Sequence, residues 1–291
     1  MGYILVTTIK NEEENLPKLF QSIENQTLLP NLWFIINDGS TDNSEILINN
    51  FKSKYPDIVY TTNFKEDSRD ITWKYHFLIK FGFEQAIIIA TDNKINWNCI
   101  GVLDGDIIID QKDYFELLYN YISDNNKIGV VSGLLYSYDK DEIIKEKRHS
   151  SHPTGAARLI NRIAFESIGG YPHIPSADSI ILQKTRTNGY CNKILPNLIV
   201  YQSRPTSSAE GVLIGLQKIA YSRYYLGHTL IYCILYTIRL LFSKKRKFAY
   251  VFCLSFIRLY FLREPRTSDI TVLKYRNNYI YNRIKEKLLS K

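Results

Sequence analysis

The chain has 291 residues, of which 45% are hydrophobic, with a formal net charge of +8. That is enough apolar material for one large domain with an appendage, or for two small domains. Four scattered cysteines (Cys99, Cys191, Cys233, Cys253) with no Cys-x-x-Cys exclude a disulfide framework or zinc site and point to a reducing compartment.

The amino terminus runs directly into Tyr3-Ile4-Leu5-Val6-Thr7-Thr8. With no basic n-region and no long apolar core, the sequence predicts no signal peptide, and the cytoplasm is the expected compartment. Met1-Gly2 opens a myristoylation pattern, but Val6 stands where that pattern wants Ser or Thr. Tyr3 to Ile9 is rich in β-branched residues and predicts a strand. Asn15 to Asn25 carries Leu16, Leu19, Phe20 and Ile23 at helical spacing. Leu32 to Ile36 predicts a second strand, Ser44 to Phe51 a helix, and Ile58 to Tyr60 a third strand. Trp73 to Ala90 predicts a helix, although Ile87-Ile88-Ile89 fits a strand equally well. Cys99 to Leu103 is a strand, Tyr114 to Ile122 a helix, and Ile128 to Ser132 another strand. This alternation predicts a mostly parallel sheet with helices on both faces. Ligands of such sheets bind beyond the carboxyl ends of the strands.

Three stretches sit at or near such strand ends. Thr7-Thr8-Ile9-Lys10-Asn11-Glu12-Glu13-Glu14-Asn15 follows the first strand, and Glu13 and Glu14 suit a helix N-terminus through its dipole. Asn37-Asp38-Gly39-Ser40-Thr41-Asp42 is a tight turn leading into a helix. Asp38 can accept an N–H from a nucleobase edge or cap that helix, and Asp42 reads as a cap. Asp104-Gly105-Asp106 ends the strand that begins at Cys99. In an extended chain, residues i and i+2 point to the same side, so both carboxylates can face one small site. Such a pair suits a hard divalent cation whose shell is completed by substrate phosphates. Taken alone, Asp-x-Asp reads equally well as a solvated turn.

In this order and spacing, the three stretches resemble family 2 glycosyltransferases, which are inverting enzymes with the GT-A fold. The resemblance covers residues 3–205. It implies that Thr8 and Glu12 line a nucleotide pocket and that Asp38 contacts uracil or guanine. It implies that Asp106 contacts Mg²⁺ or Mn²⁺, while Asp104 holds the ribose or a metal-bound water. The metal would neutralise a departing nucleoside diphosphate. In the family, the base that takes the acceptor proton follows a Gly-Gly-aromatic turn and begins a helix. Here Ile168-Gly169-Gly170-Tyr171-Pro172 precedes Ser176-Ala177-Asp178-Ser179, so Asp178 matches the base. The family's usual acidic pair has Ala177 as its first member here, and a lone Asp there also reads as a helix cap.

Other positions depart from the family pattern. The His that completes the metal shell in many relatives is absent from Ile199-Val200-Tyr201-Gln202-Ser203-Arg204-Pro205. Gln202 or water would take its place, or Arg204 would help hold the diphosphate. The family's Ala-Arg-Asn segment is also missing, and Arg69 or Lys74 stands nearest to that role. His149 and His152, beside Pro153, share no helical face and read as part of a surface or acceptor loop. Thr154-Gly155-Ala156-Ala157-Arg158-Leu159 resembles the family's acceptor-side segment, where small residues let a sugar approach the backbone.

Charge divides the chain. Residues 1–203 hold 20 Lys+Arg and 25 Asp+Glu, a net of −5, whereas residues 204–291 hold 17 and 4, a net of +13. Such a basic, aromatic-rich tail implies an anionic partner. Its two apolar runs, Tyr225 to Phe242 and Phe248 to Leu262, are interrupted by charge and too short to span a bilayer. In-plane helices on anionic lipid fit them, as does a helical core or a homodimer interface. No nucleic-acid-binding signature is present, so nucleic acid is not an expected partner.

The expected protein is an α/β chain with a GT-A glycosyltransferase domain at residues 1–205 and a C-terminal helical membrane-surface segment at 206–291. Its expected reaction moves a sugar from a nucleotide-diphosphate donor to a hydroxyl of a lipid-linked or surface-polysaccharide acceptor. Its expected place is the inner face of the membrane, held peripherally. Two other readings stay open: transfer to a polyprenyl phosphate, as in dolichyl-phosphate mannose synthase-like members, and a non-catalytic protein that keeps the fold.

Overall fold

The structure, a computed structural model, describes residues 2–65, 70, 72–139, 142–146, 148–204, 212–243 and 246–282. Arg69, Pro205, Lys244, Lys245 and residues 283–291 lie outside the described residues. The chain forms two compact units, Met1–His173 with Ala177–Pro205, and Ile174–Ser176 with Thr206–Lys291.

The first unit runs β1 (Tyr3–Ile9), α1 (Leu16–Glu24), β2 (Leu32–Asp38), α2 (Ser44–Lys54), β3 (Val59–Phe64), α3 (Lys74–Asp92), β4 (Cys99–Leu103), β5 (Ile107–Ile108) and α4 (Tyr114–Ser123). It continues with β6 (Ile128–Asp139), β7 (Glu142–Lys145), β8 (Ala157–Asn161), α5 (Arg162–Ser167), α6 (Ala177–Thr187) and β9 (Cys191–Gln202). The sheet order is β3-β2-β1-β4-β8-β6-β9-β5, with β7 on β6. Strands β3, β2, β1 and β4 are parallel, as is the β6–β9 pair, while β8 is antiparallel to both of its neighbours.

Alternation along the strands builds two cores. Tyr3, Leu5, Trp33, Ile35, Cys99 and Leu103 face one layer with α1, α2 and α4. Ile4, Val6, Phe34, Ile36, Ile100 and Val102 face the other, with α3, α5 and α6. A strand covered on both faces is apolar at nearly every position, which is why β1, β2 and β4 read as continuous hydrophobic runs. Helix α3 runs through Ile87-Ile88-Ile89 to Asp92. Buried Leu78, Ile79, Phe83, Ala86 and Ala90 recur at helical spacing, which settles that segment against the strand alternative.

The second unit contains α7 (Val212–Tyr225), α8 (Leu230–Leu241), a 3-10 turn at Arg246–Phe248, α9 (Ala249–Phe261) and α10 (Ile270–Asn277). Thr229 and Asp269 cap α8 and α10, each accepting from a backbone N–H of the first turn. The two apolar runs of the tail become α8 and α9, and with α7 they enclose Leu216, Tyr224, Cys233, Leu240, Phe252 and Phe256. A helical core is therefore present, and an apolar face remains outside it. Ile231, Ile234, Leu235, Ile238 and Leu241 are exposed along one side of α8. Among the described residues, no helix is long and apolar enough to cross a membrane.

Candidate active site

Two loops are stitched together at the carboxyl ends of β1 and β2. Ser40 Oγ accepts from the Asn11 backbone N–H, and Asn11 Oδ1 accepts from that of Thr41. Ser44 Oγ accepts from the Glu12 N–H. Asp42 accepts from Glu13 and Ser44 backbone N–H groups at 3.0 Å each, so it ties both loops and takes the first N–H of α2, whose N-cap position is Asn43. These bonds fix Glu12 and Asp38, which are both buried, while Thr8 sits half-buried at the end of β1. The Lys74 ammonium lies 2.6 Å from Asp38 Oδ1. Lys74 thus serves Asp38 from the first turn of α3.

The next residue of that turn reaches the other strand end. Tyr75 Oη donates to Asp104 Oδ1 at 2.8 Å. Asp104 and Asp106 do not lie on one extended strand. The chain turns here, with Ile107 N–H donating to Asp104 O, before entering β5. The turn separates their partners. Asp106 accepts from the Gln202 amide at 3.2 and 3.3 Å and is ion-paired with Arg204, whose Nε lies 3.2 Å from Oδ2. Arg204 also pairs with Glu12, so one guanidinium spans two buried carboxylates. Gln202 and Arg204 arrive because β9 pairs with β5, setting Gln202 opposite Ile107.

The electrostatics of this cluster are unbalanced. Burial, and then the neighbouring Asp106, pushes the Asp104 carboxyl up to about 8. Burial raises Asp106 as well, against the pull of Arg204. Among the described residues, no three His, Cys, Asp or Glu side chains gather into a complete metal cage. Two under-neutralised carboxylates still fit a hard cation that takes its remaining ligands from a diphosphate and water.

Asp178 lies in the first turn of α6, where the helix dipole favours an anion. Its side chain is 36% exposed. Arg158, fully buried in β8, donates from Nη2 to Asp178 Oδ1 at 2.5 Å. Tyr171 Oη is 3.3 Å from the same oxygen, and His76 Nδ1 is 3.1 Å from Tyr171 Oη. Burial alone would raise the Asp178 carboxyl, but the Arg158 charge and then His76 hold it below the usual carboxylate range. His149 and His152 lie on a separate loop, with Ser151 Oγ between their rings.

Sequence reasoning did not single out Tyr75, His76, Arg158 or Tyr171 as partners of these carboxylates. One signal was available. Arg158 is a lone charge inside the apolar run Ala156-Ala157-Arg158-Leu159-Ile160, and a buried charge requires a partner.

Comparison with known proteins gives two kinds of likeness. Among solved structures, the mannosyltransferase PcManGT from Pyrobaculum calidifontis in complex with GDP-Man and Mn²⁺ is similar, with a TM-score of 0.54 and 12% identity. That match covers 87% of this chain and 69% of the other. S. aureus TarS 1–349 in complex with UDP-GlcNAc is similar, with a TM-score of 0.55 and 12% identity, covering 77% of this chain and 66% of the other. Against a further TarS structure, with a TM-score of 0.52 and 13% identity, the chain spans only 40% of its relative's length. At these identities the likenesses show the fold. Residues 4–68 match the family model described as glycosyl transferase family 2. The chain has the GT-A fold, and residues 4–68 carry the family likeness. The matched segment is β1 to β3 and the residues just beyond, which carry Thr8, Glu12 and Asp38. No curated protein matches it in sequence.

Proposed function

We propose that the protein transfers a sugar from a nucleotide-diphosphate sugar to a hydroxyl group, with inversion at the anomeric carbon and Asp178 as the base. The observation that carries this reading is the pairing of two differently tuned carboxylate sites. Asp104 and Asp106 are raised by burial, whereas Asp178 is held ionised and partly exposed. A carboxylate that stays charged takes a proton, and a pair short of positive charge takes a cation.

In this mechanism Asp38, Thr8 and Glu12 hold the nucleoside, with Lys74 orienting Asp38. Asp104 and Asp106 would hold Mg²⁺ or Mn²⁺, which when bound would supply Lewis-acid stabilisation of the leaving diphosphate. Gln202 fixes the Asp106 carboxylate, taking the place of the family's histidine, and Arg204 adds a second positive group for the diphosphate. The acceptor oxygen attacks the anomeric carbon, the bond from that carbon to the diphosphate oxygen breaks, and the acceptor proton passes to Asp178. The acceptor is a lipid-linked or surface-polysaccharide saccharide. The catalytic part is residues 1–205 and the tail is 206–291, resting on the inner membrane face. The tail's net charge of +12 and the exposed apolar side of α8 support that place.

A thermal-shift panel of UDP-, GDP- and dTDP-sugars, with and without Mn²⁺, tests the donor site on wild type and Asp106→Ala. A Mn²⁺-dependent shift with one nucleotide, lost in the variant, is expected. A donor shift that is the same without metal and in Asp106→Ala would overturn the metal assignment.

A further inference from the structure

We infer that Arg158 is a positioning residue for the base: with Tyr171 it clamps Oδ1 of Asp178, leaving Oδ2, packed against Gly155, as the oxygen that receives the acceptor's proton. This rests on the assignment of Asp178 as base.

The first argument is the isolation of the guanidinium. Arg158 is fully buried near the start of β8, between Ala157 and Leu159, which are themselves fully buried. Its Nη2 bonds Asp178 Oδ1, while its Nε and Nη1 have no hydrogen-bond partner. A guanidinium buried only to brace the fold would satisfy several acceptors, because each unmet donor is costly in a dry interior. Here one carboxylate oxygen is its sole hydrogen-bond partner among the described residues.

The second argument is the direction of the remaining bonds. The Tyr171 hydroxyl has a single proton, which goes to Asp178 Oδ1. Its oxygen then accepts from His76, which must carry its proton on Nδ1, a tautomer assigned from the network. The relay runs from His76 to Tyr171 to Oδ1, where it meets the Arg158 bond. Both donors converge on one oxygen and stop the carboxylate from rotating.

The third argument is the backbone opposite. A Cβ on Gly155 would lie 2.4 Å from Asp178 Oδ2 and 2.9 Å from its Cγ. Gly155 therefore makes room for the carboxylate itself.

The groups facing Asp178 are Arg158 from β8, Tyr171 from the turn before α6, His76 and Tyr75 from α3, and Asp104 after β4. The adjacent positive charge makes Asp178 a weaker base but keeps it ionised, and the clamp sets the proton's path. Orientation is gained at some cost in basicity.

The test uses the full chain, with donor hydrolysis by water as the activity and the panel-selected nucleotide-sugar as the probe. Arg158→Met should lower kcat about 10- to 100-fold and leave the donor Kd within about twofold. The acid limb of kcat/KM should move up by about one pH unit, as expected when an opposite charge is removed. Arg158→Lys should restore the position of the acid limb and part of kcat. Carbon-13 titration of the carboxyls, with Asp178 assigned from Asp178→Asn, should show the same upward movement without any donor. Should Arg158→Met not fold, Tyr171→Phe and Gly155→Ala carry the test: each should lower kcat at unchanged donor Kd. Wild-type kcat and an unmoved Asp178 titration in Arg158→Met would overturn the proposal, as would wild-type kcat in both substitutes. If Asp178→Asn transfers normally, the base assignment fails first. If Asp178→Asn is inactive and Arg158→Met is normal, only the positioning role fails.

Discussion

Replacing Asp178 by Asn changes one atom and removes one charge, and its two consequences have different sizes. On the rate, losing a general base costs about 10²- to 10⁴-fold. At about 1.4 kcal/mol per tenfold, that is about 3–5 kcal/mol of transition-state stabilisation. On stability, Arg158 stays fully buried and loses its counter-charge. Breaking a buried pair outright costs about 3–5 kcal/mol. The Asn oxygen still accepts one hydrogen bond, and the Asp178 side chain is 36% exposed to screening water, so about 1–3 kcal/mol is expected. The pH dependence has a definite sign. Asp178 has a lower pKa folded than unfolded, so its stabilisation is present above the ordinary carboxylate range and is lost as pH falls through the folded value. The melting difference between wild type and variant should therefore shrink in acid. Calorimetric donor binding, transfer rate and melting curves at several pH values measure all three. Adding Arg158→Met to Asp178→Asn should recover most of the stability and none of the rate, because it removes the stranded charge. An Asp178→Asn enzyme with more than half the wild-type rate and unchanged donor affinity would refute the base assignment. That result would favour transfer to an acceptor that is already an anion.

Three further outcomes follow from the same geometry. The Asp104 carboxyl is raised to about 8 when folded, so metal-free protein should lose stability as pH rises from about 4 to about 8. Asp104→Asn should flatten that slope, and an identical slope in the variant would sink the assignment. Lys74→Met strands Asp38, whose side chain is 10% exposed, and should cost about 3 kcal/mol of stability and weaken nucleotide binding; unchanged melting and affinity would show the pair is idle. Ile234→Glu with Ile238→Glu, both exposed on α8, should abolish co-sedimentation with phosphatidylglycerol vesicles while sparing donor binding. Equal sedimentation of wild type with neutral vesicles, or none with anionic ones, would count against the membrane-surface reading.

What was legible in the sequence follows from the range of the interactions involved. The parallel half of the sheet is visible because β1, β2 and β4 are buried on both faces and contain little but apolar residues. Asp38, Asp104 and Asp106 stand out because strand ends place carboxylates beside glycines. The local geometry of Asp104-Gly105-Asp106 was less legible. An i, i+2 argument presumes extended chain, and the turn into β5 gives each carboxylate different partners. Strand β8 escaped notice because it enters antiparallel between β4 and β6. Its pairing with β4 spans more than fifty residues of chain and that with β6 about thirty, so no local pattern shows it. Tyr75, His76 and Tyr171 were missed for the same reason. Each looks like an ordinary core aromatic until the fold sets its polar atom beside a carboxylate or, for His76, beside Tyr171.

In the proposed mechanism the two carboxylate sites divide the chemistry between them by how each is neutralised. Arg158 is a permanent, buried counter-ion aimed at a single oxygen of Asp178, so that carboxylate has no charge deficit for a cation to fill. Arg204 is 34% exposed and shared between Glu12 and Asp106, while the side-chain hydrogen-bond partner of Asp104 among the described residues is the Tyr75 hydroxyl. That cluster stays short of positive charge. A cation gains more there than beside Asp178, and a proton at neutral pH is better held by Asp104 than by Asp178. If the roles were reversed, the metal would compete with a buried guanidinium it cannot displace, and the base would sit in a cluster that already favours its protonated form. The environments push the two sites apart, and that separation supports the proposed division, with cation binding at one and proton transfer at the other.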